Sequence, residues 1–316
     1  MVKYVVGRLF AMVITLYIIV TLCFMVLRLM PGTLFGYDPQ VPPAVRAAID
    51  ARYHLDRPII VQYGFFIRGL VLEGDWGTSI SVRPTIPAFE VLRDRIPISM
   101  QLNIYALLIS IPLGVIFGTW AALKRNKMTD HVLSIFVVVC ISIPSFVFAS
   151  MTQYLLASRL GWFPIIFRPT AEGAESFTQF ILPVFCLAIG PIAIVARYLR
   201  SELIENLNSD YMLLARTKGL TRTQATVRHC FRNSCVPLVN IIVGMFAGIL
   251  GGSLVIENIF AIPGVGNIML MSINASDHPL TIAILIFYSV IGLMSLLIID
   301  ILYGVVDPRI RMGSGK

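Results

Sequence analysis

Residues 197–237 read RYLRSELIENLNSDYMLLARTKGLTRTQATVRHCFRNSCVP, a polar and basic stretch between two long apolar runs. Its centre has the pattern of two short helices broken at Lys218-Gly219-Leu220. In the first, Tyr211, Leu214, Ala215 and Lys218 fall on one face at spacings of three and four residues. Gly219 suits the left-handed backbone on which such a helix stops. The second opens on Thr221-Arg222-Thr223-Gln224, a capping-box pattern in which Thr221 caps the helix and Gln224 bonds back. Val227 and Phe231 then sit one turn apart, and Arg222, Arg228 and Arg232 supply charge. Such a compact helix-turn-helix, tethered between apolar runs, is built to touch a partner in the water phase.

The chain around it has 316 residues, 57% hydrophobic and 13% charged, with a mean hydropathy of +0.83. A soluble domain has no use for so much apolar surface, so the bilayer is the solvent. Segments free of Asp, Glu, Lys and Arg fall at 9–27, 96–123, 131–158, 176–196, 233–256 and 278–299. Each reaches the roughly 20 residues that cross a hydrocarbon core. The expected fold is an all-α integral membrane protein with six transmembrane helices. The short loop 124–130 carries Lys124, Arg125 and Lys127, and the N-terminal end carries Lys3 and Arg8. Short basic loops stay inside, so both termini and 197–237 are expected in the cytoplasm. The net charge of +8 is then mostly a topology signal, and nucleic acid is not an expected partner. The five cysteines lie in spans or the inner loop, with neither metal-ligand spacing nor outer partners for disulfides. The first span ends at Arg28-Leu29-Met30-Pro31-Gly32 without a signal-peptide cleavage pattern and reads as an anchor.

In order, 1–30 is the N-terminal end with helix one, and 31–95 is an outer subdomain. Within it, 44–53 reads as a short amphipathic helix, and Gly74-Asp75-Trp76-Gly77 as a turn bearing an interfacial tryptophan. The core, 96–306, carries helices two to six, and 307–316 is an inner tail. Gly114, Gly118 and Ala121 offer helix two a close-packing face. Ile143-Pro144-Ser145 bends helix three, and Pro183 with Gly190-Pro191 bends helix four. Trp162, Phe163, Pro164 and Pro169 place the loop 159–177 at the outer interface.

One family shares these motifs. Asp210-Tyr211, Ala215-Arg216, Lys218-Gly219-Leu220, Arg228-His229, Arg232-Asn233 and Pro237 resemble the permeases of peptide and nickel ABC importers. Glu257 to Gly266, with Pro263 and Gly264, resembles that family's outer re-entrant loop, and Arg95-Ile96-Pro97-Ile98-Ser99 its entry to helix two. Against the broader importer pattern Glu-Ala-Ala-x-x-x-Gly only Ala215 and Gly219 match; Leu213 and Leu214 replace the first two residues, as the peptide branch allows. Thr217 and Cys235 are mild departures. The resemblance covers nearly the whole chain. It implies a type I ABC importer permease in a bacterial or archaeal cytoplasmic membrane. It also implies a homologous second permease, with a homodimer as the lesser alternative, two ABC ATPases and an extracytoplasmic substrate-binding protein. The residues of 210–237 named here become the ATPase-coupling set.

The chain itself is not expected to be an enzyme. No Gly-x-x-x-x-Gly-Lys-Ser/Thr occurs, so ATP and Mg belong to partner subunits and no cofactor is expected here. His54, His131, His229 and His278 are scattered, with no metal-ligand spacing. Two roles stay open for His229, a bond between the short helices or a partner contact. Asp300, a carboxylate inside an apolar run, is read first as a structural hydrogen-bonding group and second as a transport residue. Asn103, Ser142, Ser145, Asn240, Ser253, Glu257, Pro263 and Gly264 are the candidates for substrate path or binding-protein contact. The resemblance implies short peptides as cargo, with nickel, a metal–chelator complex or glutathione as alternatives; lacking a metal-ligand cluster, the spans favour peptide over bare nickel. An ion-gradient-driven secondary transporter predicts mid-membrane ionisable residues and an inverted repeat, and a membrane enzyme predicts clustered His, Asp or Ser. The spans show neither clearly.

Overall fold

The computed structural model describes residues 2–29, 43–170, 173–247, 249 and 252–306; the expectations for 31–42 and for the tail 307–316 lie outside them. Among the described residues the fold is helical, with a single isolated bridge between Thr78 and Pro87. α1 (Val2–Leu29) packs against α14 (His278–Val306). The Arg8 guanidinium grips Asp300 there, Nε to Oδ2 at 3.1 Å and Nη2 to Oδ1 at 3.2 Å. The start of α1 therefore lies beside the end of α14, so the two helices are antiparallel. Asp300 is thus a structural partner, and its partner is a cation from the far end of the chain. Most of the rest of α1 is apolar and exposed, including Phe10, Val13, Tyr17 and Val26, as a helix facing lipid must be.

The body of the fold is α5 (Ile96–Leu123) against α8 (Gly173–Leu207), which run parallel. Two glycines set their distance. A Cβ at Gly114 would stand 2.6 Å from the Cβ of Val195, and one at Gly118 2.7 Å from the carbonyl of Ala196. Ala121 is buried one turn further on. The small-residue face expected of helix two is the face that meets α8.

Helix three is broken more sharply than a proline kink. α6 (Met128–Ser142) and α7 (Ser145–Thr152, continued by a π-helical turn Gln153–Arg159) meet at 101°. Pro144 cannot supply the N–H that would continue the ladder, and Ile143 is extended. Among the described residues four single helices are long and apolar enough to cross a bilayer, and this bent pair makes a fifth candidate. The charge-free run 233–256 holds more than one helix. One, α11, is described over Arg232–Ala247, about 24 Å at 1.5 Å per residue, and Leu254–Ile259 forms a separate helix, α12. Gly252 at φ +64° turns the backbone between them.

The outer segment is folded. α2 (Pro43–Arg52) matches the expected amphipathic helix, and α3 (Ile59–Arg68) lies against α1 through Phe24, whose ring is 5.4 Å from Tyr63 and 5.0 Å from Phe66. α4 (Ala88–Arg93) leads into α5 and packs with α14. A further apolar helix, α13 (Val265–Asn274), fills 265–274, where no element was expected.

Candidate functional site: the inner helix-turn-helix and the outer hub

At the end expected in the cytoplasm, α8 does not stop at Arg197. It continues to Leu207, so Arg197 and Arg200 belong to a long helix and the loop proper is shorter than 197–237. Arg200 reaches across to Asp130 at the start of α6, Nε to Oδ1 at 2.6 Å and Nη2 to Oδ2 at 2.8 Å. Asp130 is buried and also accepts the N–H of Asn126, which clamps the 124–127 turn to α8.

α9 (Asp210–Thr217) follows, ends on Lys218, and reverses at Gly219, whose φ is +91°. α10 (Arg222–Ala225) then opens on the expected capping box, Thr221 Oγ1 accepting from the N–H of Gln224 and Gln224 Oε1 from that of Thr221. The second helix is not short, however. It passes through a π-helical turn (Thr226–Phe231) directly into α11, and Pro237 lies inside that helix. Pro237 therefore marks no boundary, a correction to its reading as the end of the motif.

The face assignment divides the expected coupling residues in two. Ala215 is buried, and Tyr211 and Leu220 are half-buried against Leu203, Met212, Ala225 and Cys230. Tyr211 donates to Asn206 Oδ1 at 2.6 Å, and Asn206 Nδ2 donates to Ser234 Oγ at 3.0 Å. These residues mount the motif and do not present it. Asp210, Arg216, Lys218, Gly219, Arg228, His229, Arg232 and Asn233 are exposed, together with the large apolar side chains of Leu213, Leu214 and Val227. His229 forms no bond to α9 among the described residues, which removes the first of its two open roles. The exposed face of the motif carries both apolar and basic side chains.

At the outer end, Glu257 on α12 is fully buried. Its Oε1 accepts from Ser99 Oγ at 2.8 Å and from the N–H of Ser253 at 3.1 Å. Its Oε2 accepts from the N–H groups of Gly266 at 2.7 Å and Asn267 at 3.1 Å. Gly252, Gly264 and Gly266 close around it: a Cβ at Gly264 would clash with Ser99 Oγ and the Glu257 carboxylate, and one at Gly266 would come within 2.7 Å of the Leu254 nitrogen. Glu257 and Gly264, expected on a substrate path or at a binding-protein contact, are both buried here, and both carboxylate oxygens of Glu257 are bonded within the chain. Pro263 is half-buried and its carbonyl accepts from Arg95 at 3.3 Å. Ser253 caps α12 by accepting from the N–H of Ile256. Asn103 is tied to the Ser99 carbonyl, Asn240 is half-buried on α11, and Ser142 and Ser145 are exposed on either side of the 101° break. The eight candidates do not form one site.

A second buried carboxylate escaped the sequence reading. Asp277 Oδ2 accepts from Ser79 Oγ at 2.6 Å and from the N–H groups of Ile80, Ser81 and Val82 at 3.0–3.1 Å, while Oδ1 accepts from Leu280 N–H at 3.3 Å. Its position just before His278-Pro279 and an apolar run was a readable helix cap. Its grip on 79–82 was not. Among the described residues no group of three or more His, Cys, Asp or Glu is placed to hold a metal ion.

A family model described as "binding-protein-dependent transport system inner membrane component" matches residues 114–312, which include α8, the whole helix-turn-helix and Glu257. The chain belongs to that family. It is a multi-pass membrane protein and a transport permease subunit. As an inner membrane component it is similar over 99% of its length to the dipeptide transport system permease protein DppB of Lactococcus lactis subsp. cremoris, at 39% identity and 100% coverage of that relative. It is 37% identical to DppB of Bacillus subtilis, with 99% of each chain covered. It is 34% identical to the oligopeptide transport system permease protein OppB of Haemophilus influenzae, over 98% of this chain and all of that one. The crystal structure of an amino acid ABC transporter with histidines superposes with a TM-score of 0.51 at 18% identity, covering 68% of this chain and 93% of that one. That likeness speaks for the fold, a type I ABC permease.

Proposed function

We propose that this inner membrane component forms half of the pore of an ATP-driven importer of short peptides, coupled to partner ATPases through α9. The observation that carries the coupling is the division of the helix-turn-helix into a buried mount and an exposed apolar-basic face. The substrate class is supported by the dipeptide and oligopeptide permeases that match the chain end to end. A second, homologous permease supplies the other half, and a binding protein delivers peptide at the outer face.

The mount suggests how force travels. α9 is fixed to the end of α8 by Tyr211–Asn206 and runs through Gly219 into the unbroken α10–α11 helix. A displacement of α9 by a closing ATPase pair therefore moves α8 and α11 together. α5 rides on α8 through Gly114 and Gly118, and Ser99 at its outer end is bonded to Glu257. A rigid-body tilt at the inner face then reaches the outer mouth without rebuilding local structure. The basic loop 124–127 and this motif lie in the cytoplasm, with both termini on that side.

Two measurements test the reading. In the reconstituted complex, Leu214→Glu and Arg232→Glu, both on exposed positions, leave the complex folded and abolish binding-protein-stimulated ATP hydrolysis and peptide uptake. Wild-type stimulation in both variants removes the coupling role of α9 and of the start of α11. In cells, a single cysteine at Thr85 reacts with an impermeant reagent and one at Asn126 does not; labelling at Asn126 inverts the topology.

A further inference from the structure

A cavity of about 670 Å³ lies between α9, α10 and the inner ends of α5 and α8, and of its charged residues only Asp210 and Arg216 belong to the expected coupling set. Its cations are Arg125 and Lys127 from the turn after α5, Arg216 from α9, and Arg222 from α10, against the lone carboxylate of Asp210. Among the described residues none of the four is in an ion pair, whereas the neighbouring Arg200 is fully engaged by Asp130. The remaining wall is mixed: Asn208 and Ser209 are polar, and Leu123 and Leu213 give it an apolar side. Leu123 is the last residue of α5 and Met128 the first of α6; both are exposed, at 49% and 76%. Exposed apolar residues that end one membrane helix and begin the next mark the edge of the hydrocarbon. Arg125 and Lys127 between them stand at the depth of the phosphates.

We propose that this cavity seats the phosphate head group of an anionic phospholipid of the inner-face leaflet, with an acyl chain lying along Leu123. Basic pockets beside membrane helices on the cytoplasmic side recognise head groups in this way, and a carboxylate-bearing protein segment would have no need of the apolar side at bilayer depth. The lipid touches both the turn that Asp130 clamps and the helix that carries the exposed apolar face, so its occupancy sets how freely α9 moves. That consequence rests on the coupling reading; the binding does not.

The test uses the assembled complex in nanodiscs of phosphatidylcholine alone or with phosphatidylglycerol, and counts retained lipid by native mass spectrometry. Wild type retains phosphatidylglycerol in preference to phosphatidylcholine. The double variant Arg125→Ser/Lys127→Ser loses that preference by about fivefold for each cation removed, while Arg57→Ser at the outer face leaves it unchanged. Equal retention of the two lipids, or an unchanged preference in the double variant, overturns the proposal. Displacement of phosphatidylglycerol by millimolar inorganic phosphate overturns it in favour of a soluble anion. Loss of ATPase subunits from the double variant with lipid retention intact overturns it in favour of an acidic protein surface. Retention as expected, with ATP hydrolysis indifferent to phosphatidylglycerol, upholds the lipid site and counts against the coupling reading alone.

Discussion

Glu257, at the end expected outside, and Tyr211, at the end expected in the cytoplasm, each tie helices together, and they do so with different chemistry. The outer hub is polar and closed: one buried carboxylate takes four donors from α5, α12 and α13, and three glycines leave no room for any other arrangement. The inner mount is mostly apolar, with the Tyr211–Asn206–Ser234 chain as its polar thread. A saturated carboxylate in a dry setting has a single good geometry, because every donor it loses is left buried and unpaired. Apolar contacts under a short helix tolerate small sliding. On the proposed function, the hub around Glu257 moves as one piece and the mount around Tyr211 transmits a push.

Breaking the outer hub has the largest expected effect. Glu257→Ala strands Ser99 Oγ and three backbone N–H groups, at about 1–3 kcal/mol for each donor that stays buried. Little folded complex should be recovered, and thermal denaturation in detergent of what remains should show a large loss of stability. Asp277→Ala removes a similar number of bonds, but Ile80, Ser81 and Val82 are partly exposed and water replaces part of the loss. About 2 kcal/mol is expected, with faster hydrogen exchange confined to 79–86 and stimulated ATP hydrolysis retained. An equal effect of the two substitutions would erase the distinction between a closed hub and a surface clamp.

The inner face answers to smaller changes. Gly219→Ala meets no atom within 4 Å, so its cost is the positive φ alone, about 1 kcal/mol. The complex should assemble normally, and any fall in stimulated hydrolysis then reports the geometry of the reversal and not misfolding. Gln224→Ala removes one arm of an exposed capping box and should cost about 0.5 kcal/mol, with uptake near wild type. A larger loss there than at Gly219 would make the cap, and not the turn, the critical joint.

Local chemistry made much of the inner motif readable. The break at Lys218-Gly219-Leu220, the left-handed glycine and the Thr221–Gln224 box are each settled within a few residues, and each is present as expected. The existence of the long helices was readable because a membrane-length apolar run is contiguous in sequence, whereas the short α13 was not. Boundaries were not: α8 runs eleven residues past Ala196, and α10 merges with α11 because a π-helical turn absorbs the junction. The face that a short helix buries was also hidden. Leu213 and Met212 are adjacent and equally apolar, yet one is exposed and the other buried against Leu203 and Ala225, elements that the local pattern does not place.

By itself, the sequence determined that this chain crosses a membrane repeatedly, that its basic stretch forms a helix reversed on Gly219, and that it resembles an importer permease. Only the tertiary structure decided what the carboxylates do. Glu257 meets Ser99 from 158 residues away, Asp277 meets Ser79 from 198, and Asp300 meets Arg8 from 292. A residue's helical periodicity reports the neighbours within its own turn, whereas the partners of a buried charge are chosen by where the packed helices bring distant donors. The same glutamate would read as a solvated cap or a substrate contact until three glycines and four donors are seen to enclose it.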